Sequence, residues 1–347
     1  PQTGEIRVMV GGRGEDRFNR TTQALRSPGS AIKIFLYTAA IDQGITAADV
    51  YLDEPTDFEL ITGEIWSPQN YYETFAGEVT VRKAIEDSLN VIAAKVAAEV
   101  GPKTIIEYGK KMGVTTFVEQ GRVNDVALAP LALGGMTKGV SPLELATAYG
   151  VLANQGIKTE PFAILKVTDS NGRLLEQHQI RQNVVLSEQT SYLMTDLLRG
   201  VIERGTGKNA NIGRPAAGKT GTHSDYRDAW FVGYTPDLVS VVWFGEDIPV
   251  RMVYQGVRYG SWDAATIWGR FMREALKNTP VSDFPKPGGL VEGIVIDTKT
   301  GLLVKDDCNL PAEETRREIF IQGTEPTEFS PRCSKPWWQN LPFLPGR

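Results

Sequence analysis

The segment from Ser30 to Gln43, reading SAIKIFLYTAAIDQ, constrains the fold more than any other part of the chain. Its composition predicts a helix from about Ser30 to Gln43, stopped by Gly44. Apolar residues surround that helix on nearly every side: Ile32, Ile34, Phe35, Leu36, Ala39, Ala40 and Ile41. A helix with one apolar face can rest on a core, but one that is apolar all round has to be enclosed by it. The remaining chain must wrap this segment, and 347 residues suffice for two or three structural units and a core of that size.

The polar exceptions in this helix are Ser30 and Lys33, with Tyr37 farther along. A spacing of three places Ser30 and Lys33 on one face, within side-chain reach. Burying a lysine without a partner is costly, which makes a functional role reasonable. The bland alternative is an N-cap serine and a lysine at an exposed edge. A serine at a helix start lies beside unpaired N–H groups that can hold an oxyanion, and a neutral lysine one turn away can accept its proton. Neutrality near pH 7 requires the lysine pKa to fall by about 3 units, a cost of about 4 kcal/mol. Desolvation and a second nearby cation both act in that direction.

Along the chain, Ile45 to about Phe75 reads as irregular. Helical period runs from Val79 to Val100 with an interruption around Ser88-Leu89-Asn90, so one long helix and a helix-break-helix are both open. Ser141, Pro142 and Glu144 form a helix start signal, and Gly156 a stop. A hairpin with its turn at Ser170-Asn171-Gly172 and a helix from about Ser187 to Glu203 come next. Two strands, DAWFVGYT and LVSVVWFG, follow around Pro236-Asp237, then a helix, DAATIWGRFMREAL. The opening PQTGEIRVMVGG has the form of a turn and a strand, which implies a natural polypeptide that continues upstream. Strands near the start and after Asp228 suggest one sheet built from both ends, with a mostly helical lobe (about 45–160) inserted. The expected class is α/β in the α+β sense, an antiparallel sheet flanked by helices. After the Pro- and Gly-rich PVSDFPKPGG, a hairpin VEGIVIDTKTGLLV and a loop-rich tail form an extension, giving units 1–283 and 284–347.

Several function classes fall away on composition. A net charge of -5 with no long basic run argues against nucleic acid as a main partner. No apolar run approaches the ~18 residues of a spanning helix. Cys308 and Cys333 lack metal or redox spacing, and are either unrelated thiols or a disulfide stapling the tail, the latter implying an extracytoplasmic compartment. The two histidines, His178 and His223, come without a GxSxG elbow or an HExxH pair, leaving little for a histidine triad or zinc. Gly213 to Thr220 matches the phosphate-loop pattern GxxxxGK[ST] letter for letter, but neither a buried strand before it nor a helix after it is readable.

Three elements remain in order: Ser30-Ala31-Ile32-Lys33, Ser88-Leu89-Asn90 and Lys219-Thr220-Gly221-Thr222. This set resembles the SxxK, SxN and KTG signatures of the penicillin-binding transpeptidases and serine β-lactamases. With SPGSAIKIFLYTAA, GKTGTHSDYRDAWFVGYTP, SPLELATAYGVLANQG and GTEPTEFSPRC, nearly the whole chain looks like the transpeptidase domain of class A bifunctional penicillin-binding proteins. The resemblance implies Ser30 as acyl-forming nucleophile, Lys33 as its base and Ser88 as the proton carrier to the leaving amine. It implies Asn90 as partner of the donor amide, Lys219 as a source of positive potential, Thr220 and Thr222 as carboxylate binders, and Gly221 as the place where the ligand backbone lies close. The oxyanion hole would be the backbone N–H groups of Ser30 and Thr222. The implied substrate is a peptidoglycan stem ending in D-Ala-D-Ala. A β-lactam would acylate Ser30, and no metal or cofactor is needed. A D,D-carboxypeptidase or a non-enzymatic β-lactam sensor would carry the same motifs. A β-lactamase would also need a deacylating carboxylate, for which Glu73 and Glu78 carry no signature. An upstream glycosyltransferase domain and membrane anchor are expected, with the chain on the outer side of the membrane. His223, beside the carboxylate site, is expected to modify β-lactam affinity; an unchanged acylation rate in His223→Ser would refute this.

Overall fold

The structure, a computed structural model, describes residues 1–334 apart from positions 16, 61, 62 and 224. In chain order its principal helices are α1 (Lys33–Asp42), α2 (Val81–Glu86), α3 (Asn90–Val100), α4 (Pro102–Met112), α5 (Leu128–Leu133), α6 (Pro142–Ala153), α7 (Glu188–Glu203) and α8 (Ser261–Ala275). Helix α1 is enclosed as its composition requires, with every residue from Lys33 to Ile41 buried. Around it lie Ile92, Ala93 and Val96 of α3, Ile105 and Ile106 of α4, and Met194, Leu197 and Leu198 of α7. The expected helix from Ser30 begins instead as a tight 3-10 turn, Gly29–Ile32, that runs into α1 at Lys33.

The central sheet has three antiparallel strands, β1 (Ala217–Thr222), β2 (Asp228–Tyr234) and β3 (Val239–Gly245), in the order β3-β2-β1. Successive side chains of β2 face opposite ways. Trp230, Val232 and Tyr234 join the core around α1, while Phe231 packs on Trp268 of α8 in a second cluster with Ala264, Ala265 and Met272. The sheet is thus covered on both faces, and its edge strand β1 lies beside the Ser30 turn.

One sequence expectation fails here. The opening segment forms no sheet strand among the described residues. Glu5 makes only an isolated parallel bridge to Phe162, and Val8, Met9 and Val10 are exposed. The sheet is therefore built from residues 217–245 alone, not from both ends. Alternation identifies an extended segment but not its partner, which is why the assignment failed. In the tail, VEGIVIDTKTGLLV does turn back on itself, with Asp297 N–H donating to Leu302 O at 2.9 Å and Val304 N–H to Val295 O at 3.0 Å on either side of an Ile296–Leu303 bridge, while the longer ladder of β4 (Leu290–Asp297) is with β5 (Thr315–Ile321). Past Val304 a loop leads to β5, and Thr298 N–H in the hairpin turn donates to Glu314 O at 2.8 Å. Cys308 and Cys333 are joined in a disulfide with Cα atoms 4.9 Å apart, closing that loop. Residues 335–347 of the expected extension lie outside the described residues.

Other expectations hold. Ser141 and Glu144 exchange the two hydrogen bonds of a capping box at 3.2 and 2.9 Å. The chain does break between α2 and α3, as one of the two readings had it.

The β4-β5 hairpin is locked to α2 by charge. Arg82 donates to both carboxylate oxygens of Glu318 at 2.6 Å and to Asp196 at 2.6 Å, and Glu86 accepts from Arg204 at 2.8 Å. Glu318, Arg82 and Glu86 are all buried. Removing one member leaves an uncompensated charge inside the protein. Glu318→Ala should cost about 3 kcal/mol in urea unfolding, with Asp196 limiting the loss, and the double change Arg82→Met/Glu318→Met should recover most of it.

Candidate active site

The site is assembled where the Ser30 turn, the α2–α3 break and the edge strand β1 meet. Their approach is so close that side chains are excluded. A Cβ on Gly221 would lie 2.3 Å from the Pro28 carbonyl oxygen, one on Gly29 2.5 Å from the Thr222 oxygen, and one on Gly134 2.2 Å from the Gly29 oxygen. The turn is thereby pinned between β1 and the end of α5. Further bonds hold it: Ser27 Oγ donates to Gly134 O at 2.7 Å, Trp230 Nε1 to Ser27 O at 2.8 Å, and the Tyr149 hydroxyl to Ala31 O at 2.9 Å. Ser30 itself is only partly buried.

Ser88 occupies the break with φ of 60°, a left-handed conformation that costs a non-glycine residue about 1 kcal/mol or more. Ser88 and its neighbours meet both lysines. Lys33 Nζ donates to Ser88 O and to Asn90 Oδ1, each at 2.8 Å, with Leu89 O at 3.3 Å and Ser88 Oγ at 3.4 Å. From the other side, Lys219 Nζ lies 2.8 Å from Ser88 Oγ. The partners of both amines are neutral oxygens, and each lysine is 1% exposed. Burial pushes Lys33 well below the ordinary lysine value, and the charge of Lys219 pushes it the same way. Burial alone brings Lys219 down to about 7.

The remaining residues singled out in the sequence lie on the same meeting elements. Asn90 starts α3, its side chain donating to Gln69 O at 2.8 Å. Thr220 Oγ1 is 2.8 Å from Thr206 Oγ1, and Thr222 Oγ1 donates to Ser261 Oγ at 2.8 Å. His223 follows β1 and its Nδ1 accepts from Asp225 N–H at 3.2 Å. Lys219 and Thr220 lie within a strand, not at a helix N-terminus, so the phosphate-loop reading fails on geometry. Glu73 and Glu78 are not among the hydrogen-bond partners of Lys33, Ser88 or Lys219 in the described residues.

Sequence reasoning missed the support behind Asn90. Asn70 Oδ1 accepts the Asn90 N–H at 2.8 Å, and Asn70 Nδ2 donates to both Asp53 oxygens at 2.9 Å, with Asn70 and Asp53 both buried. Thr206, Ser261 and Gly134 were missed as well. None belongs to a short motif, although Thr206 in RGTGK lies within a glycine-rich run.

The family model described as the penicillin binding protein transpeptidase domain matches residues 1–250. The chain belongs to the penicillin-binding protein transpeptidase family. A second model of the same lineage, the C-terminal domain of penicillin-binding protein 1A, matches residues 286–335. Among curated relatives, penicillin-binding protein 1A of Clostridium tetani is 37% identical over 345 residues, covering 94% of this chain and 43% of the relative. That of Aquifex aeolicus is 37% identical over 331 residues with the same coverage. The chain thus spans less than half the length of these relatives. Among solved structures, Haemophilus influenzae penicillin-binding protein 1A superposes with a TM-score of 0.80 at 28% identity, over 91% of this chain and 51% of that one. PonA1 of Mycobacterium tuberculosis in complex with penicillin V gives 0.70 at 25% identity, over 80% and 76%. The transpeptidase fold accounts for the placement of the three motif elements around one groove.

The two buried lysines carry a pH signature. Lys219 holds its proton to about pH 10.5 when unfolded but only to about 7 when folded, so the unfolded state binds more protons between these values. Stability therefore rises with pH through that window, and the cost is fully present below it. Relative to Lys219→Met, the native protein should gain stability between pH 7 and 9.5, by at most about 1.4 kcal/mol per pH unit, in denaturant unfolding at each pH.

Proposed function

We propose that this chain is the D,D-transpeptidase part of a longer peptidoglycan synthase and a target of β-lactams, with Ser30 as nucleophile. The observation that carries the reading is the hydroxyl of Ser88 held between two buried lysines, one of which, Lys33, follows the partly exposed Ser30 by three residues at a helix start. A lysine whose pKa is lowered by burial and by a second cation is suited to be the base that Ser30 needs.

In the first step Ser30 Oγ attacks the carbonyl carbon of the D-Ala-D-Ala amide, and its proton passes to the neutral Lys33 amine. The negative oxygen that develops on that carbon is received by the backbone N–H groups of Ser30 and Thr222. Collapse breaks the C–N bond. Ser88, in contact with both Lys33 and Lys219, relays the proton to the departing D-Ala amine. The donor's amide lies against Asn90, its carboxylate against Thr220 and Thr222, and its backbone against Gly221, where no side chain fits. An amine of a neighbouring stem then attacks the acyl ester, forming the cross-link and freeing Ser30.

A β-lactam acylates Ser30 by the same attack and stays attached. The relatives' length supports an upstream glycosyltransferase domain and an anchor outside this chain, with the active site on the outer side of the membrane. Residues 1–283 form the transpeptidase unit in this reading and 284–347 an extension docked on α2.

Incubation with a penicillin should add one drug mass to the intact protein and leave Ser30→Ala unmodified. Lys33→Ala should slow acylation by about 10²–10⁴-fold, the usual contribution of a general base. A well-folded protein that gains no mass would refute the acyl-serine assignment. Product analysis with a stem peptide, with and without an acceptor amine, separates cross-linking from hydrolysis by a D,D-carboxypeptidase, and an absence of either product would leave a β-lactam sensor.

A further inference from the structure

We propose that Tyr71 and Tyr226 form a latch across the donor groove and select acyl donors by the length of the chain on their amide. The inference rests on the reading of the site given above. One wall of the groove is the Ser88–Asn90 segment, backed by Gln69 and Asn70, which bond to the Asn90 side chain and N–H. Tyr71 is the next residue, so its backbone position is fixed by the contacts that fix Asn90. The opposite wall is β1, and Tyr226 lies in the turn that follows it, its N–H donating to His223 O at 2.8 Å.

Between these walls the two phenol oxygens are 2.7 Å apart, and the rings meet edge to face at 6.3 Å and 72°. The pair is built rather than casual. Tyr226 adopts φ of 57°, sparsely populated for an aromatic residue, and is held there by Met252 N–H on its carbonyl at 2.9 Å and by the Arg258 guanidinium over its ring at 5.6 Å. Tyr72 packs on Tyr71 edge to face at 5.0 Å. Yet Tyr71 is 54% exposed and Tyr72 81%, so these rings are not core. They present apolar faces and hydroxyl edges to whatever enters the groove.

The direction of the donor brings it to this pair. With its carboxylate at Thr220 and Thr222 and its amide at Asn90, the rest of the donor leaves the site between Asn90 and the end of β1, toward Tyr71 and Tyr226. A donor that ends at the amide nitrogen stops short of the phenols. One that continues as a peptide or an aryl-acyl group has to separate them, giving up one hydrogen bond, and then lies against the two rings.

The test compares acylation of the native chain, Tyr71→Phe and Tyr226→Phe by two probes, read by intact mass against time. 6-Aminopenicillanic acid carries a bare amine at the amide position; phenoxymethylpenicillin carries an aryl-acyl chain there. Each phenylalanine keeps its ring and loses the phenol–phenol bond, and differences in ring reactivity cancel within each probe. The latch predicts that both variants react with phenoxymethylpenicillin about fivefold faster than the native chain, the factor carried by one net hydrogen bond, and with 6-aminopenicillanic acid at the native rate. Equal acceleration with both probes, or none with phenoxymethylpenicillin, overturns the latch while leaving the acyl-serine reading intact. Failure of the native chain to be acylated by either probe overturns that reading and the latch with it.

Discussion

Two lysine amines brought out of water around a single serine hydroxyl are the constraint on which the rest of the structure turns. Lys33 and Lys219 reach the Ser88 segment from different elements, and their partners are carbonyl, amide and hydroxyl oxygens. An ion pair in this position would keep a lysine charged; neutral acceptors orient the amine while burial favours its neutral form. The fold has to bear the energetic cost of that arrangement, and it does so with a large core. Helix α1 buries Ile34, Phe35, Leu36 and Ile41 alongside the lysine, and each such apolar side chain is worth about 1.5–3 kcal/mol. The composition that forces α1 into the interior is what strips water from Lys33.

Placement of Ser30 depends on glycine for the converse reason, an absence of atoms. Gly29, Gly134 and Gly221 let three stretches of backbone meet at distances no Cβ permits. Gly29 also takes φ of 50°, which a side chain resists. The Ser30 turn is consequently held by backbone on both sides, while Ser30 itself stays partly exposed. Pre-organisation of this kind lets N–H groups meet developing charge without rearranging.

How much of this could be read in the sequence follows from the range of each interaction. Ser30 and Lys33 were legible because a helical spacing of three fixes their relation locally. Ser88 and Asn90 were legible as a break in a helical run, and Lys219 to Thr222 as one strand face. The partners that complete the site were not, because they arrive over long separations with no spacing rule: Asn70 to Asn90, Thr206 to Thr220, Ser261 to Thr222. The same limit explains the failed strand assignment at the start of the chain. Alternation in the opening segment predicted extended chain, and VEGIVID gained β5 as a further partner, because the choice of partner lies in contacts that a periodicity does not encode.

The C-terminal hairpin is tied into this chain of dependence. Glu318 and Arg316 of β5 reach into α2, where Arg82 and Glu86 are buried, and the backbone carbonyl of Glu86 accepts from Thr206 N–H at 3.0 Å. Thr206 in turn touches Thr220, and Glu86 precedes Ser88 by two residues. One network of hydrogen bonds and ion pairs therefore connects the tail to both lips of the groove. Because Ser88 holds a left-handed backbone that it would not adopt unaided, the helix leading into it has to be rigid, and a buried arginine bonded to two carboxylates supplies that rigidity better than apolar packing, since its geometry admits few alternatives. The extension thus bears on the chemistry through the position of the Ser88 hydroxyl, without any of its own described side chains entering the hydrogen bonds of the lysine cluster.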